Sequence, residues 1–198
     1  MLPGYWRGHF LAAGVAIIAM STCGCMEGKP AVSAGHGQKA GTVVELDGLQ
    51  SPTPANWKEV PTDQQFRYKV FRLPGEKPDL EAELVIFYFG EGVGGGVEEN
   101  IKRWKSMFQP PEGKSIDEVT KVSEFQVGTV PVVYVDIRGT YLFRPFPASP
   151  KVEPRKDYRM ISVIFRSPKG PYFIRLVGPE ATVAKHQKGF DEWLKNFK

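Results

Sequence analysis

The chain has 198 residues, two cysteines, three histidines and a formal charge of +4 at neutral pH. That length suits one domain behind a leader, and so mild a charge with no recognition motif excludes a nucleic-acid partner. Both cysteines, Cys23 and Cys25, lie near the amino terminus, so the rest of the chain has no disulfide framework, thiol nucleophile or thiolate metal site.

Residues 1–25 read as a signal peptide. Arg7 precedes an apolar run from Phe10 to Met20, too short to span a bilayer but suited to the apolar segment of a secretory signal. Ser21-Thr22-Cys23-Gly24-Cys25 follows. Small residues before a cysteine resemble a bacterial lipoprotein signal, which makes Cys25 the lipidation candidate and Cys23 the alternative. Lipidation, as with palmitate, would anchor the chain in the cell envelope, and an ordinary cleaved signal would make it a secreted soluble protein. Residues 26–55, rich in Gly, Ala, Ser and Pro, read as a tether, with Thr42 to Leu46 as a short edge strand. His36 falls in that tether.

Residues 56–198 form the expected domain. Trp57 to Val60 opens it. In Phe66 to Leu73, Phe66, Tyr68 and Val70 share one face, opposite Arg67 and Lys69. The organising stretch is Leu80 to Phe108. Ala82, Leu84, Ile86 and Tyr88 form one face of a strand, while Val85, Phe87 and Phe89 make the other apolar too. Such a strand needs cover on both sides. After Gly90, Gly92, Gly94, Gly95 and Gly96 comes a helix whose stripe is Val97, Ile101, Trp104 and Phe108, with Glu98 and Glu99 in its first turn. The glycines fit G-x-G-x-x-G, but Glu91, Glu98 and Glu99 would repel a phosphate, and no lysine stands in a cradling position. A turn that folds the helix back on the sheet is the simpler reading.

Lys121 to Val127 and Val130 to Arg138 read as a hairpin across Gly128-Thr129, with strand character continuing to Phe143. Arg144 to Lys156, with four prolines, reads as a loop. Tyr158 to Phe165 and Tyr172 to Val177 are the last strands. Pro179-Glu180 starts a closing helix with Val183, Phe190, Leu194 and Phe197 in one stripe and Trp193 beside it. The expected architecture is α+β: an antiparallel sheet of five to seven strands with helices packed on its faces.

The order of Trp57, Phe66 to Leu73, Ala82-Glu83-Leu84, Phe89-Gly90, the glycine run, Ile101-x-x-Trp104 and the closing Phe190, Trp193 and Phe197 resembles a group of uncharacterised bacterial envelope lipoproteins. More distantly it is similar to the extrinsic PsbP protein of photosystem II. That resemblance implies a PsbP-like sandwich of sheet and helices and an accessory or assembly role. It implies no catalytic residue.

Catalytic chemistry is sparse. His186, beside Lys185 and Lys188, reads as a surface histidine of the last helix. With one histidine and no cysteine in the domain, there is no His/Cys metal site and no Cys–His dyad. Asp136, followed by Arg138 on the same strand face, is the best carboxylate, and a strand salt bridge is its simplest role. No catalytic residue, metal ligand or cofactor is therefore assigned. The proline-rich loop is the expected binding surface, with Phe143, Arg144, Phe146 and Arg155 as its anchors. The leading expectation is a non-enzymatic binding or assembly module, attached to a membrane by its lipid and engaging another envelope protein. Binding of a small ligand near the glycine-rich loop is the alternative, and carboxylate-based catalysis is the third reading.

Overall fold

The computed structural model describes residues 40–146 and 149–198. Cys25, Cys23, the signal sequence and the first part of the tether lie outside the described residues. The described chain opens with a hairpin of β1 (Ala40–Leu46) and β2 (Leu49–Pro54), turned at Asp47-Gly48 with positive φ at both. Thr42 to Leu46, expected as a short edge strand within the tether, is one strand of this hairpin. Val44 and Leu46, two apart and fully buried, commit the segment to the core instead.

The main sheet follows. Its strands are β3 (Lys58–Glu59), β4 (Arg67–Leu73), β5 (Ala82–Tyr88), β6 (Phe108–Gln109), β7 (Thr120–Val127), β8 (Val130–Phe143), β9 (Glu153–Ser167) and β10 (Gly170–Pro179). The helices are α1 (Val97–Lys105), between β5 and β6, and α2 (Glu180–Lys195), after β10. All pairings are antiparallel, in the order β3-β4-β5-β10-β9-β8-β6, with β7 also paired to β8. The fold is α+β as expected. The sheet has eight strands rather than five to seven, because β3 and β6 are two-residue strands that no alternation could reveal.

Each face of the sheet has its own core. On one face, Leu84, Ile86, Ile161, Phe165 and Ile174 meet the α2 stripe of Val183, Phe190, Trp193 and Leu194. Trp57 packs edge-on against Trp193, with ring centres 5.6 Å apart. The hairpin seals this side: Ser51 donates to the Trp193 carbonyl at 2.7 Å, and Gln50 and Lys198 exchange backbone hydrogen bonds. On the other face, Val133, Val135, Ile137, Met160 and Ile164 meet Trp104, with Val97 and Ile101 packed alongside.

Three local expectations change. The first helix ends at Lys105, where Ser106 Oγ donates to the Arg103 carbonyl at 2.7 Å; Phe108 leaves the helix and pairs with Tyr141 as β6. Strand β9 starts at Glu153, so only residues 144–152 separate β8 from β9, and Glu153 to Lys156 belong to the sheet. His186 is buried rather than on the surface, because it sits on the sheet side of α2, where its Nε2 lies 2.9 Å from the Pro74 carbonyl.

Candidate functional site

Helix α1 packs over β8, β9 and β10 and leaves part of its face toward β4 and β5 without a helix. Register places Arg72, Glu83 and Arg175 there, on the same face as Val70 and Val85. Both valines are buried. Long arginine stems can cover such apolar ground while their charged ends stay accessible.

Two bulges enlarge this group. In β4 the pairs Arg67↔Phe87 and Lys69↔Ile86 set two steps of β4 against one of β5. The extra residue turns Arg67 onto the face of Arg72, although simple alternation would separate them. In β9 the pairs Gly139↔Tyr158 and Tyr141↔Arg155 set three steps of β9 against two of β8. Asp157, with φ 55°, lies within that irregularity, and Arg155 turns to the side of Tyr141 and Tyr158. The Tyr141 and Tyr158 rings stack at 6.0 Å.

The result is a cleft of about 430 Å³. Its sheet wall comprises Arg67, Arg72, Arg175, Glu81 and Glu83, and its other wall Tyr141, Phe143, Arg144, Arg155 and Tyr158. Five guanidinium groups thus face two carboxylates. Glu83 spans two of the arginines, at 3.0 Å from Arg72 Nη2 and 3.7 Å from Arg67 Nη1. Arg175 and Arg67 lie 5.2 and 5.9 Å from the centre of the Phe87 ring. Arg175 Nε is buried and has no hydrogen-bond partner among the described residues.

Across the cleft, the Arg155 guanidinium lies 3.7 Å from the centre of the Phe143 ring. Its nearest carboxylate, Glu153, is 3.8 Å away. A hydrogen bond from Lys151, followed by that lysine's charge, holds the Glu153 carboxyl below its ordinary range, with a smaller contribution from Arg155. Arg144 donates to the Ser149 carbonyl at 2.8 Å. Of the four loop residues singled out in the sequence, Phe143, Arg144 and Arg155 come together here. Phe146 is outside the cleft lining and 58% exposed.

The glycine-rich loop leaves the end of β5 opposite Glu83. Gly90, Gly92, Gly94 and Gly95 have positive φ, and Gly96 caps α1. Glu99 Oε2 accepts the Gly96 N–H at 3.0 Å. Asn100 Nδ2 donates to the carbonyls of Gly94 and Gly96 at 2.9 and 2.8 Å. A carboxylate of the chain itself therefore occupies the donor that an anion would need at this helix start.

The other candidates are committed to internal contacts. Asp136 is gripped bidentately by Arg159, at 2.8 and 2.7 Å, and Arg159 also donates to Gln187. Its expected partner Arg138 lies farther off, at 3.7 Å. Burial alone would lower the Arg159 guanidinium, but the bonds to Asp136 carry it above its ordinary value. Burial pushes the His186 imidazole down, against the opposing hydrogen bond to Pro74. Among the described residues, no three His, Cys, Asp or Glu side chains converge as a metal site, and no helix is long and apolar enough to cross a membrane.

No protein-family model matches the chain, and no curated protein matches it. Among solved structures it is similar to a Pseudomonas aeruginosa protein of unknown function, PA94, at 13% identity over 78% of this chain and 93% of that one, with a TM-score of 0.45. It is also similar to cyanobacterial PsbP (CyanoP) from Synechocystis sp. PCC 6803, at 12% identity over 86% and 99% of the two chains, with a TM-score of 0.48. With both scores below one half, the α+β class rests on the sheet and helices themselves.

Sequence reasoning found the loop wall of the cleft and missed the sheet wall. Arg72, Glu83 and Arg175 carry no motif that singles them out in the sequence. Arg67 was placed on the wrong face, because a bulge leaves no mark in an otherwise regular alternation. The available signal was three arginines and one glutamate on strands rich in apolar positions, with a second glutamate, Glu81, just before β5.

Proposed function

We propose that this chain is an exported binding module of the cell envelope, with no catalytic step of its own. Its anchor would be a lipid on Cys25, or on Cys23, and the arginine cleft with its bordering loop would be its binding surface. The observation that carries this reading is the cleft itself: two bulges aim Arg67 and Arg155 at the same space as Arg72 and Arg175. Bulges that re-aim a side chain are characteristic of binding and active sites. Arginine supplies planar forks for recognising carboxylate or phosphate but is a poor proton-transfer group, and among the described residues no histidine or cysteine lines the cleft.

The favoured partner is another envelope protein, because Phe146 stands exposed beside the cleft as an aromatic anchor. The test places a photocrosslinking residue at Phe146 in otherwise native envelopes. One crosslinked protein at high yield, lost with Arg144→Ala and Arg155→Ala together, is the expected result. The absence of any crosslinked product would reject the protein-partner reading. Labelled palmitate should enter the wild type and be lost in Cys25→Ala or Cys23→Ala; label retained in the double variant would reject the anchor. Small-ligand binding, the second reading, fits this cleft better than the glycine-rich loop, whose helix-start donor is already taken by Glu99.

A further inference from the structure

We infer that the cleft is a receptor for a compact oxyanion carrying two or more negative charges, and that Glu83 is the internal competitor such an anion must overcome. This rests on reading the cleft as the binding surface. The argument starts from the charge count of the lining, five arginines against two glutamates. Among the described residues, no lysine lines the cleft. Guanidinium forks engage oxygen pairs of phosphate or carboxylate bidentately, which an ammonium cannot do.

The arginines are not equally engaged. Arg67 and Arg72 share Glu83. Arg155 has only a long contact to Glu153 and a stacking contact with Phe143. Arg144 is held through a neutral carbonyl. Arg175 has no carboxylate within ion-pair distance among the described residues, and its Nε is a buried donor without an acceptor. A buried donor left unpaired is costly, and an arriving oxygen would supply the acceptor. Arg175 on the sheet and Arg144 and Arg155 at the opposite wall thus form two arms around one volume.

A single negative charge would leave most of this field uncompensated. An anion with at least two charges and several oxygens can engage both arms. The volume of about 430 Å³ suits a molecule or group of that size. Phosphate on a larger molecule, free phosphates and polycarboxylates share the required chemistry. Glu83 lies within ion-pair distance of one guanidinium nitrogen each of Arg67 and Arg72 and repels the incoming group. Its neutralisation should release two further donors into the cleft.

The test is isothermal titration of the full chain with pyrophosphate, citrate and acetate at matched ionic strength. Pyrophosphate or citrate should bind measurably and acetate should not. Arg144→Ala, an exposed position whose change leaves the core intact, should weaken binding about tenfold. Arg175→Gln should weaken it at least as much, with its circular dichroism and melting checked against wild type. Glu83→Gln should tighten binding several-fold, whereas Glu112→Gln, the same charge change outside the cleft, should leave it unaltered. Pyrophosphate binding over citrate would point to a phosphate source, and the reverse to a polycarboxylate. Absence of binding by both anions overturns the inference, as does binding that ignores Arg144→Ala or responds equally to Glu83→Gln and Glu112→Gln. A Phe146 crosslink that survives such a failure would leave the binding-module reading standing and remove only the anion receptor.

Discussion

The two faces of the sheet are finished differently. Under α2 the surface is closed by aromatic rings: Trp57, Phe190, Trp193 and Phe197 interlock, and the β1–β2 hairpin with the last residue of the chain seals the edge. Under α1 the cover is shorter, a nine-residue helix against a sixteen-residue one, and arginines complete the face. The contrast separates stability from recognition. A face closed by rings resists change, and the cleft it leaves between α2 and β7, at Phe125, Tyr134 and Asp191, holds no cluster of cations among the described residues, while a face finished by guanidinium groups tolerates change and can exchange its partners. That difference locates the candidate site more firmly than any motif in the chain.

The largest expected effect tests the closed face. Trp193→Ala should cost about 3–5 kcal/mol in chemical denaturation, because a large ring is removed from a site with few ways to collapse. A loss below about 1 kcal/mol would mean that α2 is not the main seal, and the contrast between the faces would fail. Next comes Asp136→Ala, which leaves Arg159 charged and almost fully buried without its carboxylate. Removing one partner of a buried pair costs about 3 kcal/mol or more. Replacing Asp136 and Arg159 together with apolar residues should cost less than the single change. A double variant as unstable as the single one would show that the pair does more than neutralise itself.

Much of this contrast was legible in the sequence. Ala82, Leu84 and Ile86 on one side of β5 and Val85 and Phe87 on the other demanded cover on both faces, and the stripes of α1 and α2 supplied it. What stayed hidden depended on single-residue geometry. The slip at Tyr68 and the one near Asp157 each reverse which side an arginine faces, and neither alters the local composition. His186 was misread because lysines flank it in sequence, whereas the helix turns those neighbours outward and the imidazole inward. Thr42 to Leu46 could be read as a strand, but its partner β2 was hidden, because two prolines and three polar side chains in Leu49–Pro54 leave no apolar alternation. Of the candidate site, Phe143, Arg144 and Arg155 could be singled out from chemistry alone, while the side that Arg67 and Arg155 face required the register.

The glycine-rich loop gives a smaller effect that sharpens the comparison on the α1 side. At Gly94, φ is 109° and an added Cβ would come 2.5 Å from Phe173 Cε2. Gly94→Ala should therefore cost about 2 kcal/mol through strain and forced movement of a buried ring. At Gly92 the φ of 69° imposes strain, but an added Cβ meets nothing within 4 Å, so Gly92→Ala should cost about 1 kcal/mol. Equal losses in melting experiments would mean that the loop does not lean on Phe173, and that it acts as a hinge rather than as a packed edge of the second core.

The smallest effect is a pH dependence confined to the closed face. Burial lowers the folded-state value of the His186 imidazole from the ordinary 6.5. The unfolded chain therefore takes up this proton at a higher pH than the folded one. Stability contributed by neutral His186 is fully present above about pH 6.5 and is lost as the pH falls from there toward the depressed folded value. Other titrating groups with buried surroundings on this face include Asp191 and Tyr134, which bond to each other, Tyr172, which burial raises from a phenol value, and Arg159, which Asp136 keeps charged; Lys185 is the cation that acts on the imidazole. Burial raises both Asp191 and Tyr134, the former from a carboxylate value and the latter from a phenol value, so neither reproduces a loss that begins near pH 6.5. Denaturant midpoints between about pH 7.5 and about pH 5.5 should fall for the wild type and change less for His186→Gln, which keeps a donor for the Pro74 carbonyl. Parallel slopes for the two proteins would show that α2 lets His186 reach water when it charges, and that the closed face opens more readily than its rings suggest.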